Sequence, residues 1–356
     1  MAKHLQHDRY LFGIVILMVF FGLIMVFSAS AVMAERTYGV SYYFLKRQLI
    51  AAAIGLAGMI ALMQLDYQRL RHPAVVFGTL SVVLVALVVV LFVARTANTN
   101  RFYRVGGFSL QPSEFAKLAL ILFLAWFLEK RCRALREWRT LAPAAVLLGI
   151  LAGLVLLGRD LGTAVVLLFI AGVILWVAGL DGRYFAVGAL GAVAMAGVAI
   201  WLEPYRWDRL VIFLDPWKDP LGKGFQIIQS MIAVGAGGWT GAGLMASKQK
   251  LYYLPAPHTD FVYAVVAEEL GLIGAALVVA AFGWILWRGV SAALRANNHF
   301  AVYLAVGVTA MLVCQAFINM SVVLNLAPTK GIPLPLVSYG GSSLIAAMWA
   351  AGMLLS

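Results

Sequence analysis

The sequence has 356 residues, of which 63% are hydrophobic and only 12% are charged. Soluble domains have about 45–50% apolar and about 25% charged residues, so this composition excludes a soluble globular fold. The net charge of +12 does not indicate nucleic-acid binding, because many basic residues lie beside apolar runs, where they would meet anionic lipid headgroups. The sequence therefore predicts a protein embedded in membrane lipids, with no nucleic-acid partner.

Ten apolar runs are long enough, at roughly 20 residues each, to cross a bilayer as helices. They cover residues 10–32, 45–64, 73–94, 113–129, 141–158, 161–179, 184–203, 262–287, 299–323 and 338–356. An even number of spans places both termini on one side of the membrane. Short segments on that side hold twelve basic residues against eight on the other, which favours cytoplasmic termini under the positive-inside rule.

The predicted fold is an all-α polytopic membrane protein, with residues 1–356 in a single domain. One long extracytoplasmic loop, residues 204–261, joins the seventh and eighth spans. Loops of this length are uncommon and usually functional. Apolar residues that recur around Gln226, Gln229 and Ser230 predict a short amphipathic helix over residues 225–234, lying against the membrane surface.

Ionisable residues collect at the outer end of the predicted spans, whereas the inner end has mainly basic residues. Such residues are costly inside a membrane and are functional candidates by default. The candidates at the outer end are Arg101, Arg104, Glu114, Lys117, Asp160, Asp260 and Lys330. A face of mixed charge indicates that the chemistry takes place at the outer surface.

Asp260 leads directly into the eighth span. Apolar walls at that position would raise the pKa of its carboxyl group and make it a usable general base; His258 is an alternative base. Asp260 could equally be a helix N-cap, because Asp is a preferred capping residue. Two turns further along, at least one of Glu268 and Glu269 needs a partner such as Lys117 or an arginine from another helix, and a structural ion pair is the favoured interpretation there.

Glu114 and Lys117 are three residues apart on one helix face, so an internal ion pair is the simplest interpretation. Arg101 and Arg104 precede the same helix N-terminus, where basic side chains would suit a pyrophosphate. Asp160 is typical of a residue that caps the start of a helix.

The segment before the last span has two open interpretations. It contains Lys330 and Ser338, followed by the small residues of 340–343. Small residues and hydroxyls allow the close approach of a ligand, but close helix packing alone would also explain them.

Five longer motifs occur in order along nearly the whole chain. They are residues 104–117 (RVGGFSLQPSEFAK), 160–163 (DLGT), 215–229 (DPWKDPLGKGFQIIQ), 250–271 (KLYYLPAPHTDFVYAVVAEELG) and 328–343 (PTKGIPLPLVSYGGSS). In these motifs the chain resembles the SEDS proteins (shape, elongation, division and sporulation). The Pro-x-Lys-Gly at Pro328 to Gly331 resembles the FtsW branch more than the RodA branch. Arg159 departs from the family pattern, which commonly has proline at that position.

The resemblance implies a ten-helix fold and a peptidoglycan glycosyltransferase that polymerises lipid II at the outer face of the bacterial cytoplasmic membrane. It also implies a divalent cation, Mg²⁺ or Mn²⁺, whose ligands are unknown, a class B penicillin-binding transpeptidase as partner, and other division proteins. The family's essential loop aspartate matches Asp260, which favours the general base over the cap. The candidate substrate-binding residues are Arg101, Arg104, Glu114, Lys117, Asp160, Lys330 and Ser338.

Two other functions are compatible with the sequence. A flippase for the same lipid-linked precursor would use Glu114, Lys117, Glu268 and Glu269 as a gated polar path. A scaffold for division proteins would turn over no lipid II. The long outer loop and the one-sided polar cluster favour surface chemistry over alternating access.

Overall fold

The computed structural model describes residues 8–93, 101–105, 108–131, 138–201, 204–251, 254–329 and 331–356. Within these ranges the chain forms thirteen α-helices and a two-stranded hairpin. The helices are α1 (Arg9–Tyr38), α2 (Tyr43–Gln64), α3 (Tyr67–Leu70), α4 (Pro73–Val93), α5 (Pro112–Arg131), α6 (Trp138–Leu157), α7 (Leu161–Val177), α8 (Gly182–Trp201), α9 (Pro204–Leu214), α10 (Phe225–Gly237), α11 (Val262–Arg295), α12 (His299–Val323) and α13 (Gly341–Leu355). Antiparallel strands β1 (Tyr103–Val105) and β2 (Phe108–Leu110) precede α5.

The helical membrane-protein architecture predicted from the sequence is confirmed. Each of the ten apolar runs coincides with one long helix: α1, α2, α4 to α8, and α11 to α13. Six of these helices are long and apolar enough to cross a membrane by length and composition, namely α1, α2, α4, α6, α11 and α12. The other four do not meet both criteria within the described residues, so ten crossings and a single domain remain predictions.

Helices α5 and α12 form the centre of the bundle. Both are buried along most of their length, and α12 contacts α5, α7, α11 and α13. Polar side chains on these two helices therefore face other protein groups rather than lipid. Lys117, Gln315 and Asn319 are the ones that matter for the site described below.

Asp160 caps α7, as the sequence predicts, by accepting a hydrogen bond from the Thr163 backbone N–H at 3.0 Å. The preceding residue, Arg159, has a φ of 62°. Proline fixes φ at about −65°, so it cannot occupy position 159 in this backbone conformation. Arg159 thus has a backbone conformation that proline could not adopt, and the helix cap beside it is intact.

The long loop predicted over residues 204–261 contains helices α9 and α10. Helix α10 confirms the predicted amphipathic helix, but one of its faces packs against α11, with Ile227, Ile228 and Ala233 buried. The Ser230 hydroxyl also donates to the Val323 carbonyl of α12 at 2.7 Å. Helix α10 thus packs one face against the bundle, and its position at the membrane surface stays a prediction.

Helix α11 is kinked at Gly271, which has φ 65° and ψ −165°. In a regular helix the carbonyls of Glu268 and Glu269 would accept from the N–H groups four residues later. Here they accept instead from Ala242 and Gly243, both at 3.0 Å. The N–H groups of residues 272 and 273 donate to the carbonyls of residues 238 and 239, at 2.9 and 3.2 Å. The turn after α10 therefore replaces two broken helix bonds, and the four backbone groups that those bonds would have joined all keep a partner.

Glu268 and Glu269 are buried, and Glu269 forms a structural ion pair, as the sequence predicts for at least one of them, but Lys117 is not the partner. Lys250, in the segment after the turn, contacts the Glu269 carboxylate at 2.6 Å. Glu268 accepts from the Ser247 hydroxyl and from the backbone N–H of Lys248 at 2.8 Å. Lys117 pairs with Glu114 on its own helix.

We predict that Gly271→Ala lowers the thermal stability of the detergent-purified protein. The residue occupies a backbone region that is essentially restricted to glycine, with a strain of about 1–3 kcal/mol for other residues. An added Cβ would also lie 2.5 Å from the Trp239 carbonyl oxygen and would contact the Gly241 nitrogen. Thermal melting followed by tryptophan fluorescence measures the change.

Gly283→Ala is the matched control, because this glycine lies in the same helix with open space around its Cβ position. Its melting temperature should stay the same or rise slightly, since alanine is the better helix former. Equal melting temperatures for both variants would contradict the account of the kink.

Candidate active site

Asp260 does not cap helix α11. The N-cap is Phe261, and no side chain forms a cap hydrogen bond there. The partly exposed Asp260 carboxylate accepts no hydrogen bond from any described residue, although two arginines face it. The capping interpretation is therefore wrong, and the carboxylate is free to act on a bound molecule.

The backbone of Asp260 is held by Asn319 of α12. The Asn319 amide nitrogen donates to the Asp260 carbonyl at 2.8 Å and to the Ile332 carbonyl at 2.7 Å. One buried side chain thereby joins the start of α11 to the segment between α12 and α13. This arrangement places Gly331 next to the carboxylate.

Gly331 lies between Asp260 and Arg101 and contributes no side chain to the space that separates them. A Cβ added at Gly331 would lie 3.2 Å from Asp260 Oδ2 and 3.8 Å from a terminal nitrogen of Arg101. Any larger side chain would occupy the space between the carboxylate and the guanidinium group. That space is where a polar ligand could contact both groups at once.

The surroundings of Asp260 change its proton affinity. Burial raises the pKa of its carboxyl group to about 6, while the positive charges of Arg101 and Arg209 oppose the rise and Asp160 adds slightly to it. A carboxyl group with a pKa just below neutral pH is mostly deprotonated there and still binds a proton well. These are the properties that a general base needs.

His258 is poorly placed to be the alternative base. Its ring is buried against Phe44, with ring centroids 4.4 Å apart, and against Tyr339 at 5.4 Å. Burial lowers the pKa of its imidazole to about 4, which makes it a weaker base than Asp260. The ring instead packs beneath the segment that leads to Asp260.

Asp160 lies close to Arg101. Its carboxylate accepts hydrogen bonds from the Gln111 amide at 2.7 Å and the Thr163 hydroxyl at 2.9 Å, and lies 3.9 Å from the Arg101 guanidinium. Because Asp160 is buried and its oxygens are used in this way, it supports the arginine from behind. Its role as a substrate-binding residue stays a prediction.

Glu114 and Lys117 form the internal ion pair that their spacing predicts, at 2.8 Å. Lys117 also donates to the Gln315 side chain at 2.6 Å, and Gln315 donates to the Pro333 carbonyl at 3.2 Å. The pair is almost wholly buried, so direct contact with a substrate would require it to open. In this conformation it supports the segment that contains Gly331.

Ser338 is buried, and its hydroxyl accepts a hydrogen bond from the Leu334 N–H at 2.9 Å. The structure thus gives it a place in the fold of this segment, and contact with a substrate stays a prediction. Lys330 and the side chain of Arg104 lie outside the described residues. Thr329 and Gly331, the two neighbours of Lys330, lie beside Arg209 and Asp260 respectively.

The described residues do not form a site that would hold a divalent cation on their own. They contain no cluster of three or more His, Cys, Asp or Glu side chains placed to bind a metal. Of the two aspartates near Arg101, Asp160 already uses its oxygens for protein hydrogen bonds. The implied cation therefore finds no chelating donor set in the described part of the chain.

Comparison with known proteins assigns the family. Residues 8–356 match the model of the FtsW/RodA/SpoVE family, described as cell cycle proteins. The chain belongs to this family. A probable peptidoglycan glycosyltransferase FtsW of Geobacter metallireducens is 42% identical, over 99% of this chain and 94% of the relative. The stage V sporulation protein E of Bacillus subtilis is also 42% identical, over 100% and 98% of the two chains.

Solved structures of family members have the same fold. A chain from a peptidoglycan synthase complex that coordinates polymerization and crosslinking aligns with a TM-score of 0.80 and 35% identity, over 99% of this chain and 97% of that one. The rod shape determining protein RodA of Thermus thermophilus aligns with a TM-score of 0.72 and 30% identity, over 99% and 96%. This chain is thus a multi-pass membrane protein of the family, as the sequence predicts.

Arg209 is the site residue that the sequence analysis missed. It lies on α9, and its guanidinium group donates to the Thr329 carbonyl at 2.8 Å. Its positive charge acts on Asp260. The available signal was the cluster Arg206 to Arg209 at the start of the long loop, but nothing in the sequence indicates that this cluster meets residues 260 and 329.

We expect Arg209→Met to lower peptidoglycan glycosyltransferase activity, the activity for which relatives are named, at least tenfold. The variant should also move the acid limb of the pH–rate profile to higher pH, because one of two charges that hold down the Asp260 pKa is lost. Initial rates measured between pH 5 and 8 test both effects.

Lys223→Met is the control, because Lys223 is an exposed cation in the same loop and pairs with Asp208 at 2.5 Å, away from Asp260. It should keep the native rate and profile. A native acid limb in folded Arg209→Met would show that this arginine does not act on the base.

Proposed function

We propose that the protein is an inverting peptidoglycan glycosyltransferase that polymerises lipid II into glycan strands. The observation on which this rests is the Asp260 carboxylate, which caps no helix, has a pKa near 6, and faces Arg101 and Arg209 beside Gly331. The family relatives named for this activity support the assignment. Their FtsW names also favour septal wall synthesis as the setting.

In the proposed reaction, the 4-hydroxyl oxygen of the acceptor N-acetylglucosamine attacks C1 of the donor N-acetylmuramic acid. The bond from C1 to the lipid pyrophosphate breaks as the new glycosidic bond forms, with inversion at C1. Asp260 takes the hydroxyl proton. The pyrophosphate leaves as an anion, and the guanidinium groups of Arg101 and Arg209 stabilise the charge that develops on it.

The remaining predicted residues take supporting roles in this proposal. Asp160 holds Arg101 in place, and Asn319 fixes the backbone of Asp260. Arg104 and Lys330 stay candidates for further contacts with the pyrophosphate. Mg²⁺ or Mn²⁺ stays part of the proposal by resemblance only, and no step above depends on it. Full activity in the presence of excess chelator would contradict a requirement for a divalent cation.

The proposal places both termini in the cytoplasm and Asp260 at the outer face of the inner membrane. A class B penicillin-binding transpeptidase is the proposed partner, supported by the match to a chain of a peptidoglycan synthase complex. Polymerisation that is unchanged by addition of a cognate transpeptidase would contradict a stimulatory partnership.

We predict that Asp260→Asn abolishes polymerisation of lipid II by the purified protein. Asparagine has nearly the same shape but cannot accept the proton, and loss of a general base typically costs about 10²–10⁴ in rate. Glycan strands separated by gel electrophoresis measure the product. Asp66→Asn is the control, because Asp66 caps α3 and asparagine caps equally well.

The same assay separates polymerase from flippase, since detergent-solubilised protein has no membrane across which to move lipid. The structure favours the polymerase, because the charged residues that would line a transport path are paired with each other, Glu114 with Lys117 and Glu269 with Lys250. Native protein that makes no glycan under any condition would contradict the proposal.

We also predict the pH dependence of the reaction. Asp260 acts in its deprotonated form, and its pKa is raised to about 6. The rate at low substrate concentration should therefore be half-maximal near pH 6 and fall about tenfold per unit below it, with a plateau above pH 7. An acid limb centred near pH 4 would show that burial does not raise the pKa of the catalytic carboxyl group.

A further inference from the structure

A second cluster of charged residues lies deep in the bundle, away from the arginines of the active site. The Lys250 ammonium group contacts Glu269 at 2.6 Å, and the Ser28 hydroxyl lies 2.7 Å from both Glu269 oxygens. Lys250 also donates to Ser28 at 3.1 Å. All three residues are buried, so the cluster joins α1, α11 and the segment after the α10 turn.

Glu268 extends this cluster on the other face of α11. Its carboxylate accepts from the Ser247 hydroxyl and from two successive backbone N–H groups, of Lys248 at 2.8 Å and Gln249 at 3.3 Å. A carboxylate on successive N–H groups fixes the turn that it caps. Residues 247–250 are thus held to residues 268 and 269 at two points.

These contacts hold together the two ends of a long chain segment. Residues 247–250 belong to the cluster, Asp260 follows further along the chain, and residues 262–269 return to the cluster as the first turns of α11. Asp260 lies two residues before α11, and about two helical turns separate it from Glu268 and Glu269. Side-chain contacts in the cluster fix the two ends of the segment, and Asn319 fixes the backbone at Asp260.

Because α11 is kinked at Gly271, the contacts of the cluster matter for the direction of its first part. The first part of α11, residues 262–270, lacks two of the helix hydrogen bonds that would join it to the rest of the helix. Its direction therefore depends on contacts with neighbouring segments. The buried ion pair between Lys250 and Glu269 is one of these contacts, and in some proteins such pairs are retained because they specify one arrangement of the chain rather than for stability.

We propose that Lys250, Glu269 and Ser28, together with Glu268, position the catalytic carboxylate of Asp260. The cluster sets the direction of residues 262–270 and with it the place of Asp260 opposite Arg101 and Arg209. Lys250 and Glu269 act here as positioning residues, since neither contacts the reacting atoms. This inference rests on the proposed glycosyltransferase function.

The first test compares kcat and KM of purified Lys250→Met with native protein. We expect kcat to fall at least tenfold while KM changes less than threefold, because the arginines that bind the substrate are held by other elements. The double variant Lys250→Glu with Glu269→Lys, which restores the pair in reverse, should recover at least a third of the native kcat. A folded Lys250→Met variant with native kcat would overturn the proposal.

Arg71→Met is the matched control, since it removes the cation of an ion pair with Glu129 at the opposite end of the bundle, at 2.7 Å. Its kcat should stay native. If Lys250→Met does not fold, Ser28→Ala decides, because it removes one hydroxyl and keeps the ion pair. A threefold lower kcat in that variant supports the proposal, and a native kcat overturns it.

A second readout does not depend on activity. Asp260→Cys is made in a background with Cys132 and Cys314 replaced by serine, and the alkylation rate of the new thiol is measured with and without Lys250→Met. A change of at least threefold supports the positioning role, and equal rates overturn it. Native protein that polymerises no lipid II would instead overturn the proposed function, and would be recognised before any variant is compared.

Discussion

The structure depends on an exchange of backbone hydrogen bonds at Gly271. A membrane protein cannot leave buried N–H and C=O groups without partners, because lipid offers none. Breaking α11 in its interior is possible here only because the turn after α10 supplies both donors and acceptors in place of the lost helix bonds. This constraint brings residues 238–250 into the bundle, and it leaves the first part of α11, next to Asp260, separate from the rest of the helix.

The buried lysines of this bundle are paired with carboxylates, whereas Asp260 is not. Lys117 and Lys250 each have a carboxylate partner at hydrogen-bond distance, and both pairs are buried. An unpaired charge at such depth would cost several kcal/mol, roughly 3–5 when one partner is removed. Asp260 differs, since it faces two arginines without a hydrogen bond from any described residue. The fold thus pairs the charges of Lys117 and Lys250 and leaves the Asp260 carboxylate available to a bound molecule.

The sequence predicted the long helices well and the site only in part. Apolar runs indicate which segments avoid water, and each predicted run coincides with a helix. The i,i+3 spacing of Glu114 and Lys117 predicted a local ion pair, which the structure confirms. Arg209 and Lys250 were not assigned, because their partners lie 120 and 19 residues away along the chain. Contacts of that kind depend on how α9 and the α10 turn fold back, which periodicity does not reveal.

The open space beside Asp260 follows from these constraints together. Asn319 holds the Asp260 and Ile332 carbonyls with one amide, so the carboxylate and Gly331 are brought together by the same buried side chain. Because residue 331 is a glycine, no Cβ enters the space between Asp260 and Arg101. Burial then raises the carboxyl pKa, while the two arginines limit the rise to a value just below neutral pH. A deeper site without cations would keep Asp260 protonated, and an open site on the surface would make it too weak a base, so the proposed chemistry requires both burial and the arginines.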